Sequence, residues 1–477
     1  MNSVGHKTLA GTGSLLLLLF VSAGVFMDTP VLFFTPVVVL VVLFFIRYPQ
    51  LLFYTLLAAI PWSVEFMFTE SLGSDLPDEP LMLLTAFVAV ALIINNSRTN
   101  AKSTFISPLL VILLLGFAWS IVTTFTSTHF TFSAKYVLAK GWYLLAFVGA
   151  PLLLKGDTKL VRKAAVVLFI SMFLVTCTSM VKHAVTGLTF ATINAAVAPF
   201  FRNHVNYSAL LVFMVPLQLA FYKLTPKKQW RILVVFSLLL VLTALYFSYA
   251  RGAWIALLAG LAAYWLLKRG WLFRSYILFL IALASFVFWL QQNDRYLSFA
   301  PKHDITVFHE DFTEHLVATY KGKDVSTAER FYRWVAGARM ALEKPATGFG
   351  PTTFYQHYRS YTVPAFRTWV SNNPEQSTVH NYFLLLLIEQ GIPGMGLFLL
   401  LLGSMFWHAQ KIYARTTNRF WKTVVATIAA ILWMQVTLNS LSDLIETDKV
   451  GSVFYLCLAF LVIAAARTKE ETIPEKE

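Results

Sequence analysis

The sequence predicts an all-α polytopic membrane protein, with about fourteen transmembrane helices and one large external loop that contains an amphipathic helix. Three observations carry that expectation. The 477 residues are 57% hydrophobic and only 13% charged, with a mean hydropathy of +0.65, whereas soluble domains carry about 25% charged residues. Apolar runs long enough to cross about 30 Å of hydrocarbon as helix recur throughout. Lysine and arginine, finally, sort onto alternate connections between those runs.

The runs fall at 9–27, 30–46, 49–66, 80–96, 106–127, 136–154, 161–181, 204–222, 229–250, 252–268 and 274–291, then at 380–408, 421–440 and 449–466. The first contains "GTGSLLLLLFVSAGVF", which lacks a convincing small-residue cleavage site and is followed at once by further spans, so it reads as a retained helix. Arg47, Arg98 with Lys102, "KGDTKLVRK", "KLTPKKQWR", "KRGWLFR", "KIYARTTNRFWK" and the tail after Arg467 mark one side of the membrane. "EFMFTESLGSDLPDEP" and "SDLIETDK" mark the other. The positive-inside rule then places both termini in the cytoplasm. The expected organisation is a block of spans at 1–291, the external loop at 292–378, a second block at 379–466 and a cytoplasmic tail at 467–477. Cys177 and Cys457 fall inside spans and read as core residues. The net charge of +14 is mainly a topology signal; it is scattered over short loops, whereas nucleic-acid binding needs a clustered basic patch.

The external loop is basic and too long to be a plain connection, so it is expected to bind something. Its centre, "STAERFYRWVAGARMALEKP", carries a capping box of Ser326 with Glu329. Phe331, Trp334, Val335, Ala338, Ala341 and Leu342 recur at helical spacing, and Pro345 ends the pattern. The spacing predicts an amphipathic helix over 327–343 lying on the outer membrane surface. Arg330 precedes Trp334 by four residues, so the two project from neighbouring turns; interfacial anchoring explains that pair as well as function does. "TGFGPTTF" follows as a glycine-punctuated turn.

Strong donors gather at the outer ends of several spans. "PFFRNHVNYSALL" places Arg202, His204 and Asn206 where a helix enters the bilayer. "YFSYARGAWIALL" joins two spans through little more than Arg251 and Gly252, and an ionisable group at such depth is costly enough to be a functional candidate. Snorkelling to the headgroups is the plainer reading of Arg251, Arg202 and His204. "STVHNYFLLLLIEQGIPG" sets His380 and Asn381 on the lip of an apolar helix and Glu389 inside it, where it pairs with a base or lines a cavity. Taken singly, His380 is an ordinary helix-end residue. Together these residues suit a phosphate-bearing lipid substrate and a proton transfer: arginine reads phosphate oxygens bidentately, and histidine accepts a proton near neutral pH.

"ARGAW", then "STAERFYRW" with "KPATGFGPTTF", then "HNYFLLLLIEQGIPG" resemble the signature of the O-antigen ligase / O-antigen polymerase superfamily of bacterial envelope glycosyltransferases, closest to O-antigen ligase. The resemblance spans roughly residues 200–440 and is most specific in the HN…E-x-G-I-x-G element. The helix count exceeds what is usual for that family, and residues 1–160 carry none of its motifs. The resemblance implies a glycosyltransferase of the bacterial inner membrane with a periplasmic active site. Its donor would be a glycan on undecaprenyl diphosphate, its acceptor lipid A–core, and its surroundings membrane lipids. Arg251, Arg330 and His380 match the family's catalytic positions. Arg202, His204, Arg333, Trp334, Asn381 and Glu389 are the expected substrate-binding set. The chain has no Asp-x-Asp and no His/Cys cluster at zinc spacing, so arginines are expected in place of a metal, with no cofactor. A polymerase, whose acceptor is a second lipid-linked unit, shares this donor chemistry. A transporter or lipid flippase fits the helix count equally well, but it would show internal repeats and polar residues near mid-membrane.

Overall fold

The computed structural model describes residues 31–69, 72–96, 107–154, 156–299, 325–368, 371–373 and 376–472, with positions 20, 22, 26 and 27. Most of the run at 9–27, and positions 300–324 of the external loop, lie outside the described residues. The protein is a multi-pass, helical membrane protein. Among the described residues ten helices are long and apolar enough to cross a membrane, or up to eleven when one bent pair is taken as a single span.

The difference from fourteen has three sources. The first run is mostly undescribed. The runs at 30–46 and 49–66 form a pair, α1 (Val31–Arg47) and α2 (Pro49–Ala59), bent by 116°. Tyr48 precedes a proline and is therefore pushed out of the helical region, which breaks the helix there. The run at 49–66 also overran its helix, because residues 64–69 instead form strand β1 (Val64–Thr69), antiparallel to β2 (Leu72–Leu76). The run at 252–268 is a helix of 18 residues, α9 (Arg251–Lys268), with a cation at each end.

The other spans are α3 (Asp78–Asn96), α4 (Pro108–Phe125), α5 (Phe130–Leu153), α6 (Thr158–Val185), α7 (His204–Leu224) and α8 (Lys228–Tyr246) before α9, and α10 (Leu272–Gln291) after it. The loop helix α11 (Val325–Glu343) then leads to α12 (Tyr382–Arg415), α13 (Arg419–Leu441) and α14 (Asp448–Thr472). The last two form the centre: 72% and 83% of their apolar stretches are buried, against 11% for the span containing α10. Phe286, Val287 and Phe288 of α10 are exposed, as suits a helix facing lipid. Against α13 lies α9, close enough at Gly260 that Met434 fills the space a side chain would need.

Candidate active site

The site is built where α12 begins and α13 ends. Asn381 caps α12, its Oδ1 accepting from Leu384 N at 3.0 Å while its Nδ2 donates to Ser440 O at 3.0 Å. Tyr382 N donates to Ser442 O at 3.0 Å. These bonds tie the mouth of α12 to the end of α13 and bring His380 to Asp443, with Nδ1 and Oδ1 3.9 Å apart. The Thr378 hydroxyl donates to the other Asp443 oxygen at 2.6 Å, and Arg333 donates to Thr378 O at 3.3 Å. Arg333 is buried and pairs with Glu329 at 3.4 Å.

Burial first, then the guanidinium groups of Arg333 and Arg330, pushes His380 down to about 3. The imidazole is therefore neutral at pH 7, but a weak base until a bound anionic donor offsets the two guanidinium charges. Burial pushes the Asp443 carboxyl up; Glu446 adds to this, while the Thr378 hydroxyl and Arg333 oppose it. His380 also sits at φ +54°, a left-handed conformation that a non-glycine residue adopts only when its surroundings hold it.

Helix α11 confirms the predicted element but not its orientation. Ala328, Tyr332, Arg333, Ala336 and Met340 are buried, whereas Ala338 and Leu342 of the expected apolar face are exposed and Phe331, Trp334 and Val335 half-buried. Ala341 of that face is buried as well, and Phe331, Trp334 and Val335 pack against the core, so most of the expected stripe meets protein rather than the membrane surface, alongside the buried face that carries Arg333. Glu329 does not serve a capping box: it accepts from Ser371 at 2.5 Å and from the Thr368 hydroxyl, fastening α11 to the returning loop.

The Arg251 hairpin needs a similar correction. The turn occupies 247–250, with Tyr249 at φ +56°, so Arg251 and Gly252 are the first residues of α9 rather than the connection. A side chain at Gly252 would lie 3.5 Å from Leu441, which sets Arg251 beside the α13 end that leads to Asp443. Arg202 and His204 lie on a neighbouring rim. Arg202 is exposed, while His204 bonds Asn194 at 2.9 Å, and Phe190 stands edge-on to both His204 and Tyr249.

Glu389 lines a cavity, one of the two expected readings, but its hydrogen-bond partners are backbone amides rather than a base. Its carboxylate accepts from Thr352 N at 2.8 Å and from Phe354 N at 3.1 Å. Helix α12 is broken just beyond it at Gly391, φ +69°, and the carbonyls of Ile388 and Glu389 accept from Phe349 N and Gly350 N at 3.0 and 2.9 Å. The "TGFGPTTF" turn is therefore plugged into the break, and Glu389 is the clasp.

A cavity of about 520 Å³ opens beside this junction, with Thr378, Tyr382, Glu389, Asp443 and the ion pair Lys140–Glu446 (3.1 Å) in its wall. Asp443 and Lys140 were not among the sequence candidates. Asp443 belongs to "SDLIETDK", whose acidic character reads from sequence as a topology signal. Lys140 had a usable signal, being a lone cation inside an apolar span.

Residues 236–399 match the family model described as O-Antigen ligase, in support of membership in the O-antigen ligase / O-antigen polymerase superfamily. The matched stretch holds Arg251, Arg330, Arg333, Trp334, His380, Asn381 and Glu389, and leaves Arg202, His204 and Asp443 outside it. A search of curated proteins found no match. The family supports an enzyme of O-antigen ligase or polymerase type, acting on lipid-linked glycan and a lipid acceptor.

Proposed function

We propose that this protein is an O-antigen ligase, an inverting glycosyltransferase that moves a glycan from undecaprenyl diphosphate to lipid A–core at the periplasmic face of the inner membrane. The observation that carries the proposal is the meeting of neutral His380 with Asp443, Arg333 and Arg330 at one end of the helix bundle, beside a cavity with Lys140, Asp443 and Glu446 in its wall. Asp443 faces Nδ1 at 3.9 Å, beyond hydrogen-bond length, and its charge favours the imidazolium that forms as Nε2 takes the proton of the acceptor hydroxyl as general base. The acceptor oxygen forms its bond to the anomeric carbon. The bond from that carbon to the diphosphate oxygen breaks, and its electron pair leaves on the diphosphate.

Arg251 and Arg330 stabilise that growing charge, the contribution that is usually largest in catalysis. The arginines stand in the role that a metal fills in enzymes with paired aspartates. Attack from the face opposite the leaving group inverts the anomeric carbon. An amphipathic helix at this junction, α11, with Ala338 and Leu342 exposed, suits lateral entry of a membrane-embedded acceptor, which favours the ligase over the polymerase. Arg202 and His204, on the adjoining rim, are placed to contact the glycan, and Asn381 and Glu389 serve by shaping the site.

The surface lipopolysaccharide of a deletion strain tests the assignment. Loss of a ligase leaves full-length polymer on its lipid carrier and lipid A–core bare. Core capped with single units would identify a polymerase and overturn the ligase assignment.

A further inference from the structure

A second polar cluster lies apart from the His380 network, where the β1–β2 hairpin meets the start of α14. Asp75 of β2, Asp78 at the start of α3 and Asp448 at the start of α14 each offer a carboxylate oxygen, and these oxygens lie within 4.8 Å of one another. Asp75 and Asp448 approach within hydrogen-bonding reach, though both are acceptors when ionised. Asp78 is wholly buried. Its Oδ1 accepts from the Ser63 hydroxyl at 2.5 Å, but its Oδ2 has no hydrogen-bond partner among the described residues. A buried carboxylate oxygen left without a donor is expensive, and few proteins tolerate one without reason.

The nearby ammonium does not balance this charge. Lys449 Nζ donates to two backbone carbonyls, Ser63 O at 2.8 Å and Phe200 O. Asp75, Asp78 and Asp448 crowd around the Lys449 ammonium with Glu79 close by as a further acid, so the cluster is short of positive charge unless its carboxyls share protons. Charge, oxygen chemistry and an orphaned buried acceptor all ask for the same thing.

We propose that Asp75, Asp78 and Asp448 bind one hard divalent cation, which fastens the β1–β2 hairpin and α3 to α14. Calcium suits the spread better than magnesium. Calcium–oxygen distances of about 2.3–2.6 Å allow two ligands on one ion to stand up to about 5 Å apart, whereas magnesium needs a tighter octahedron. Because Asp448 also lines the 520 Å³ cavity, the cation braces one wall of it. Its role is to hold that wall, separate from the arginines proposed for the leaving group, and it does not depend on which acceptor the enzyme uses.

The test uses the full-length protein in detergent after chelation. Terbium titration should give saturable sensitised emission at one site, displaced by calcium and less readily by magnesium, and calcium should raise the Tm. Asp78→Asn should weaken binding on the order of tenfold or more. Should that variant fold poorly, Asp75→Asn, at a less buried position, should show the same loss. Wild-type protein without saturable emission or a calcium-dependent Tm would overturn the proposal. So would a Tm that rises on acidification and ignores calcium, since the cluster would then be held by shared protons.

Discussion

Replacing Glu389 by alanine should loosen the "TGFGPTTF" turn without touching the groups proposed for chemistry. The carboxylate accepts two backbone N–H bonds, from Thr352 at 2.8 Å and Phe354 at 3.1 Å, and Glu389, Thr353 and Phe354 are all buried. A buried backbone donor left without an acceptor costs about 1–3 kcal/mol, and the Thr352 donor can turn to water, so Glu389→Ala should cost about 1–3 kcal/mol locally. Glutamine keeps one carbonyl acceptor and turns an N–H₂ toward the second donor, so Glu389→Gln should lose roughly half of that. Hydrogen–deuterium exchange over 348–354, read beside Tm in detergent, measures the effect: exchange should speed up most in alanine, less in glutamine. Unchanged exchange and Tm in a Glu389→Ala protein that no longer transfers glycan would refute the clasp and return Glu389 to substrate contact.

Three further outcomes follow from the same junction. Arg330→Gln removes one of the charges that hold His380 below its ordinary pKa, so the histidine's titration should move up toward about 6.5; NMR of the imidazole, or the acid limb of the residual transfer rate, should shift to higher pH, and a shift to lower pH contradicts the placement. Asn381→Ala removes the cap of α12 and its bond to Ser440 O, and should cost about 1–2 kcal/mol in unfolding experiments. Gly391→Ala forces a side chain into a left-handed position against the Ala346 carbonyl, and should lower Tm by more than an alanine at exposed Gly396, where the added carbon meets nothing within 4 Å.

Fold class was legible because lipid demands long apolar helices, and composition alone reveals them. Helix number was less legible, since a run such as 49–66 reads the same whether it continues as helix or turns into β1. Pro49 and Pro61 were the local signals for those breaks. Within the site, His380 and Arg330 are singled out mainly by the family resemblance, since taken alone each has an equally good plain reading; the structure brings both near Arg333. Asp443 could not be picked from sequence, because what matters about it is the tie from Asn381 to Ser440, a contact between distant parts of the chain. The stripe on α11 was found correctly as a pattern, yet periodicity carries no information about which face meets protein and which meets lipid. Glu389 is expected from sequence to pair with a base or line a cavity; its backbone-amide partners at Thr352 and Phe354 are contacts that side-chain patterns cannot reveal.

The most direct test of the proposed chemistry is glycan transfer by purified His380→Ala protein, supplied with undecaprenyl diphosphate-linked donor and lipid A–core acceptor, with wild-type Tm as the control for folding. Loss of the general base should cut the rate about 10²–10⁴-fold while Tm and donor binding hold. Transfer within a few-fold of wild type would contradict the mechanism and leave His380 as a strained residue at a helix end.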